Sequence, residues 1–149
     1  MRISRLVTGL VVLMAAVLVS AQERGYWNAA SSSAKSITGD LSFGPDKITI
    51  NFSTFTLAQI RELKPEEKQA LFPDAGAGAG NLFRVQISSD KKFLRKNSLC
   101  GGEETDWVVT WVSGKELDVA MFSGGSIPNL TVEGLASGQR MCGTFTYTR

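Results

Sequence analysis

The sequence predicts a mainly β domain: an antiparallel sandwich or small barrel of about seven to eight strands, with one short helical segment and one disulfide. Residues 47–52 alternate apolar and polar side chains with the period of two that is typical of strands, and residues 106–112 are rich in the residue types that favour strands. Turn signals such as Gly44-Pro45-Asp46 and Ser113-Gly114-Lys115 separate these segments. Short strands at regular spacing favour an antiparallel sandwich or barrel and leave the choice between them open.

The first predicted element is a hairpin formed by residues 36–43 and 47–52. Phe55 and Leu57 extend it through a further strand. Between residues 57 and 72, apolar residues recur at intervals of three and four, and Pro65 suits a first helical position. This pattern predicts one or two short helical turns.

A low-complexity stretch and four further strands follow the predicted helix. Residues 74–80 alternate Gly and Ala after an Asp, which predicts a flexible loop. A phosphate-binding loop is excluded because no Lys-Ser/Thr pair follows the glycines. The remaining strands are predicted from alternation or from strand-favouring residue types in residues 81–87, 106–112, 116–122 and 141–147.

The first 21 residues have the pattern of a secretory signal peptide. Arg2 and Arg5 precede an apolar run from Leu6 to Val19, and Val19-Ser20-Ala21 supplies small residues for cleavage after Ala21. The alternative is an uncleaved anchor, but the run is shorter than the roughly 20 residues that span a bilayer. We therefore expect a signal peptide at 1–21, one β-rich domain at 22–149, a periplasmic or secreted location and no stable membrane insertion after cleavage.

The charge of the mature domain argues against nucleic acid as a partner. Without Arg2 and Arg5 the 16 Lys and Arg residues fall to 14, which equals the 14 Asp and Glu residues. A neutral domain has no general attraction for polyanions.

Two cysteines, Cys100 and Cys142, predict a disulfide, because an even count in an exported chain is typical of one. The bridge would close a loop whose entropy is worth roughly 4 kcal/mol. The alternative of metal-binding thiolates lacks histidine and close spacing, so no metal or other cofactor is expected.

The chain contains no histidine, which removes the commonest general base and zinc ligand. Nucleophile–histidine arrangements cannot be built. A carboxylate-based enzyme is the last of the possibilities, because the acidic residues lie mainly at predicted turns and in the predicted helix. We therefore expect that the protein is not an enzyme.

Three tryptophans are the candidate ligand-binding residues. Trp107 and Trp111 face the same way along one predicted strand, and one of them could line a cavity; Trp27 could cap one end of the sheet. The alternative is that they pack in the core, which is the usual role of such large side chains.

Several segments also resemble known exported proteins. They begin at Trp27 (WNAASSS), Ser36 (SITGDL), Asn97 (NSLCG), Phe122 (FSGG) and Cys142 (CGTFTY). Together they resemble a group of small exported proteobacterial proteins without an assigned function, over most of the mature chain; this resemblance implies no catalytic or binding residues.

A second resemblance, in architecture, is to the periplasmic inhibitors of C-type lysozyme, which also have a signal peptide and a disulfide. Their Ser-Gly segment followed by Tyr and paired Trp is absent, and Phe122-Ser123-Gly124-Gly125 matches only a fragment of it.

These observations favour an exported binding protein without enzymatic activity. Its partner would be a small apolar ligand or an envelope component. The alternatives are a protein-binding inhibitor of an envelope-directed enzyme such as lysozyme, with contacts from the loops at 91–96 and 124–128, and a structural envelope component.

Overall fold

A computed structural model describes residues 22–137 and 140–149; the predicted signal peptide at 1–21 lies outside the described residues. The nine strands are β1 (Gly25–Ala29), β2 (Leu41–Phe43), β3 (Lys47–Ile50), β4 (Ser53–Thr56), β5 (Ala58–Glu62), β6 (Asn81–Ile87), β7 (Thr105–Ser113), β8 (Glu116–Phe122) and β9 (Met141–Thr148). Two α-helices, α1 (Pro65–Leu71) and α2 (Val132–Ala136), and two short helical turns, Ala34–Thr38 and Leu94–Lys96, complete the described chain.

All nine strands belong to one antiparallel sheet, in the order β4-β3-β2-β1-β9-β8-β7-β6-β5. The predicted mainly β, antiparallel fold is therefore confirmed. The last strand, β9, lies at the centre of the sheet between β1 and β8, so the N-terminal and C-terminal parts of the domain are joined through it.

The strand count and two boundaries differ from the sequence prediction. Strand β5 occupies the first part of the segment predicted as helical, and the helix begins at Pro65 as expected. The three-and-four spacing before Pro65 misled the prediction because β5 is an edge strand whose Ile60 is exposed. The predicted strand 36–43 is helical up to Thr38 and extended only from Leu41, because Gly39 adopts a φ of +63° between them.

The sheet coils around one large apolar cluster. Strands β1, β2, β3, β6, β7, β8 and β9 all contribute to this inner cluster, and its largest fully buried members are Trp27, Tyr147, Leu41, Ile48 and Ile50. The two ends of the sheet, β4 and β5, are consecutive in the chain and are joined through buried Leu57. A ring contact between Phe43 and Phe83, with centroids 6.2 Å apart, links the two halves across the interior.

A second apolar cluster lies on the outer face of β6, β7 and β8. Helix α1 contributes Leu71, the residue after it is Phe72, and Leu130 and Leu135 come from the α2 region. Helix α1 is fastened to β5 by an ion pair in which the two terminal guanidinium nitrogens of Arg61 donate to buried Glu67, at 2.6 and 2.8 Å.

The predicted flexible loop is instead packed against the sheet. We call residues 75–80 of this segment the strap. The backbone N–H and C=O of Ala79 both form hydrogen bonds with the backbone of Val112 in β7. A Cβ built on Gly78 or Gly80 would lie 1.8 Å from the carbonyl oxygen of Val112 or Thr110. The glycines are therefore explained by close backbone approach rather than by flexibility.

The predicted disulfide Cys100–Cys142 is present and ties the loop before β7 to the start of β9. Of the helices in the described ranges, none is both long and apolar enough to span a membrane.

Candidate functional site

The three candidate tryptophans lie in two separate places. Trp27 is fully buried in the inner cluster, whereas Trp107 and Trp111 belong to the outer cluster, where they are 4% and 8% exposed. The structure therefore brings Trp107 and Trp111 together, as their strand spacing predicts, and separates them from Trp27 by the thickness of the sheet.

Each indole N–H donates to a backbone carbonyl: Trp27 to Glu23 at 2.7 Å, Trp107 to Gly124 at 2.7 Å and Trp111 to Gly76 at 3.0 Å. The faces of two rings are covered by guanidinium groups, with Arg84 4.7 Å from the Trp107 centroid and Arg149 4.1 Å from that of Trp27. Buried tryptophans with satisfied polar atoms are typical of core packing.

Trp111 also borders a surface groove of about 540 Å³ (the strap groove). Its walls are the strap, the first turn of α1 and Leu63, and Lys68 and Gln69 lie at its rim. The predicted ligand-binding residue Trp111 therefore lies beside a groove large enough for a small ligand.

A second surface groove, of about 370 Å³, lies on the other half of the sheet. We call it the Phe52 groove; its side chains come from β1, β2, β3, the helical turn Ala34–Thr38 and the β3–β4 turn. Those that could contact a ligand by stacking, hydrogen bonding or charge are Tyr26, Lys35, Asp40, Ser42, Thr49, Asn51 and Phe52.

Phe52 has an unusual position at the tip of the β3–β4 hairpin. Ile50 pairs with Ser53, so Asn51 and Phe52 form a two-residue turn, with φ values of 44° and 70°. Two left-handed residues define the turn type in which Asn-Gly is the preferred sequence. A phenylalanine at the glycine position costs about 1–2 kcal/mol in backbone strain, and its side chain is 97% exposed.

Tyr26 also lines the Phe52 groove and is 59% exposed. Its hydroxyl donates to Asp40 Oδ2 at 2.5 Å, and Asp40 Oδ1 accepts from the Ala29 N–H at 2.8 Å. The tyrosine bond, followed by the backbone bond, lowers the pKa of Asp40, and the same bond raises the pKa of Tyr26. The Tyr26 ring is thus held in place by a carboxylate that stays ionised.

The interior of the sheet contains a buried polar group that the sequence analysis did not identify. Glu23 is 2% exposed, and its Oε1 accepts from Asn81 Nδ2 at 2.7 Å and from the Thr110 hydroxyl at 2.9 Å. The cavity beside Glu23 measures about 30 Å³, which suits a water-sized group. This cavity is far smaller than either groove.

Within residues 22–137 and 140–149, no three His, Cys, Asp or Glu side chains are grouped so that they could hold a metal ion. The Phe52 groove offers hydrogen bonding, stacking and charge, which are the interactions of a binding site.

No family model, curated protein or solved structure matches the chain. The sequence contains one indication of the Phe52 groove. Between two alternating segments it has Asn-Phe, at a position where a two-residue hairpin turn prefers Asn-Gly. Sequence analysis missed this signal because it assigned Phe52 to the preceding strand by its alternation with Ile48 and Ile50.

Proposed function

We propose that the protein is an exported, non-enzymatic binding protein that recognises a component of the cell envelope through the Phe52 groove. Export is supported by the predicted signal peptide and by a disulfide, which suits an oxidising compartment. A binding role is supported by a groove whose volume lies within the range of small-ligand sites, roughly 300–1,000 Å³.

The observation that carries the proposal is the exposure of Phe52 in a left-handed turn. The free protein gains neither packing nor turn stability from this side chain, and glycine would serve the fold better. Backbone strain at an exposed position is typical of functional sites. Aromatic side chains, phenylalanine included, are also enriched at the cores of binding interfaces.

Co-sedimentation with envelopes isolated from the organism that encodes the protein tests this function. We expect the wild-type protein to sediment with the envelopes and Phe52→Gly to lose most of that binding, because the change removes the anchor and keeps a favoured turn. The control is Val132→Ala, which removes another exposed apolar side chain (64%) that lies outside the groove and outside the loops at 91–96 and 124–128. Equal binding by wild type and Phe52→Gly would contradict the proposal.

A second candidate function, carriage of a small apolar ligand, is favoured by the strap groove. Leu63, the alanine residues of the strap and Trp111 give this groove an apolar part, beside the polar side chains of Glu62, Lys68 and Gln69. Native mass spectrometry of protein recovered from its own exported fraction tests it. A reproducible extra mass that is released on denaturation and reduced in Leu63→Ser would support it, and a bare monomer would count against it.

A further inference from the structure

The outer face of strands β1 to β4 carries a row of hydroxyl groups. Tyr26 pairs with Ser42, Ser42 with Thr49 and Thr49 with Thr54, so four neighbouring strands each contribute one member of the row. The hydroxyls of Thr49 and Thr54 are 2.9 Å apart. Their chain neighbours Leu41, Phe43, Ile48 and Ile50 point the other way, into the inner cluster, so this polar row lies on the outer surface.

Two exposed aromatic rings accompany this row: Tyr26 is its member on β1, and Phe52 lies in the turn between β3 and β4. Tyr26 is fixed by its bond to Asp40, and Phe52 is carried by a two-residue turn. Tyr26, which its bond to Asp40 holds in place before a ligand arrives, loses little conformational freedom on binding, which favours affinity. The groove is also lined by Ser42, Thr49 and Asn51, whose polar groups can donate and accept hydrogen bonds.

We propose that the ligand of the Phe52 groove is a saccharide. This inference rests on the proposed function and specifies the chemical class of the envelope component that is bound. The C–H faces of a sugar ring are apolar and can stack on Tyr26 and Phe52, while its hydroxyl edge can bond Ser42, Thr49 and Asn51. A purely apolar ligand would cover these polar groups without replacing their hydrogen bonds to water, which is unfavourable.

Lys35 adds a preference, within this class, for saccharides whose carboxylate reaches Lys35 and stays clear of the negatively charged Asp40. Two charged side chains line the groove, Asp40 and Lys35. Both oxygens of Asp40 already accept hydrogen bonds, from Tyr26 and from the Ala29 N–H. Lys35 is exposed and, among the described residues, is the one cation lining the groove, so an acidic substituent placed beside it gains a charge-assisted contact.

An NMR titration of the ¹⁵N-labelled, oxidised domain tests this inference, with a galacturonate tetramer and an N-acetylglucosamine tetramer as probes. We expect shifts confined to residues 26, 40–42 and 49–54, and about tenfold tighter binding of the acidic probe, which corresponds to about 1.4 kcal/mol. Phe52→Gly should weaken binding of both probes. Lys35→Ala should abolish the preference for the acidic one and leave the neutral probe unaffected.

Other outcomes separate the inference from the function on which it rests. Suppose that neither probe shifts these amides and that protease treatment of the envelopes abolishes Phe52-dependent sedimentation. The ligand is then a protein, so the proposed saccharide is wrong and the proposed binding function stands. If sedimentation of the protein with envelopes does not depend on Phe52, both the proposed binding function and the proposed saccharide ligand are contradicted. If both tetramers bind equally in wild type and Lys35→Ala, the carboxylate preference is overturned and the saccharide is supported.

Discussion

The outer faces of the two halves of the sheet differ in how far other parts of the chain cover them. Over β6, β7 and β8, the two helices and the strap cover the sheet and bury Trp107 and Trp111. Over β1 to β4, the described chain leaves a row of hydroxyls and two exposed aromatic rings. Both faces carry large aromatic side chains, and only their surroundings distinguish them.

The difference shows that residue type is a poor guide to binding residues in this fold. The tryptophans, which are the largest aromatics, have covered rings and bonded N–H groups, so the fold already uses them. Phe52 has no packing role, and its backbone is strained. The side chain that the fold does not need is the better candidate for function.

The largest expected effect comes from truncating a tryptophan on the covered face. Trp107→Ala should lower the free energy of unfolding by roughly 3–5 kcal/mol, because it leaves a large cavity between the sheet and the helices. Urea denaturation followed by far-UV circular dichroism measures this. Trp107→Phe, which keeps most of the packing and loses the bond to Gly124, should cost about 1 kcal/mol. A loss below 1 kcal/mol in the alanine variant would mean that the covered face is not packed as described.

The next largest effect is expected in the strap. Gly80→Ala places a methyl group against the Thr110 carbonyl oxygen, where backbone must move, and should destabilise the domain by about 3 kcal/mol. The control is Gly102→Ala, since a Cβ at Gly102 meets nothing within 4 Å. If thermal unfolding gave equal midpoints for the two variants, the strap would be a flexible loop, as the Gly/Ala composition alone suggests.

The sequence predicts features that depend on local periodicity or on composition. The strand-favouring residues of 106–112 predict β7, Pro65 predicts the start of α1, and two cysteines predict the disulfide. The strap and the two grooves depend on backbone approach between segments that are distant in sequence. Phe52 is a mixed case, because its alternation with Ile50 fits a strand and only the pairing of Ile50 with Ser53 reveals a turn.

A smaller effect is expected from the ion pair that fastens α1 to the sheet. The bond from Arg61 lowers the pKa of Glu67 below its ordinary value of 4.5, so ionised Glu67 stabilises the folded state at neutral pH. Glu67→Gln should cost about 1.5 kcal/mol at pH 7. Because the contribution is lost as pH falls through the lowered pKa, the difference between wild type and variant should shrink below pH 4.5. A difference that stays constant down to pH 2.5 would contradict this account, and Glu66→Gln, which changes an exposed carboxylate on the same helix, is the control.

The smallest effect on stability has the opposite sign and lies on the uncovered face. Phe52→Gly should raise the free energy of unfolding by about 0.5–1 kcal/mol, because glycine relieves the left-handed strain and then loses some of the gain to its greater freedom in the unfolded chain. Phe52→Ala keeps the strain and should leave stability nearly unchanged, so the pair separates the backbone contribution from that of the ring. Denaturation midpoints measured side by side test both. If Phe52→Gly destabilises the domain, the ring has a packing role and the contrast between the two faces disappears. If Phe52→Gly stabilises the domain and abolishes binding to envelopes, then Phe52 lowers the stability of the fold and is needed for recognition, as the geometry of the turn implies.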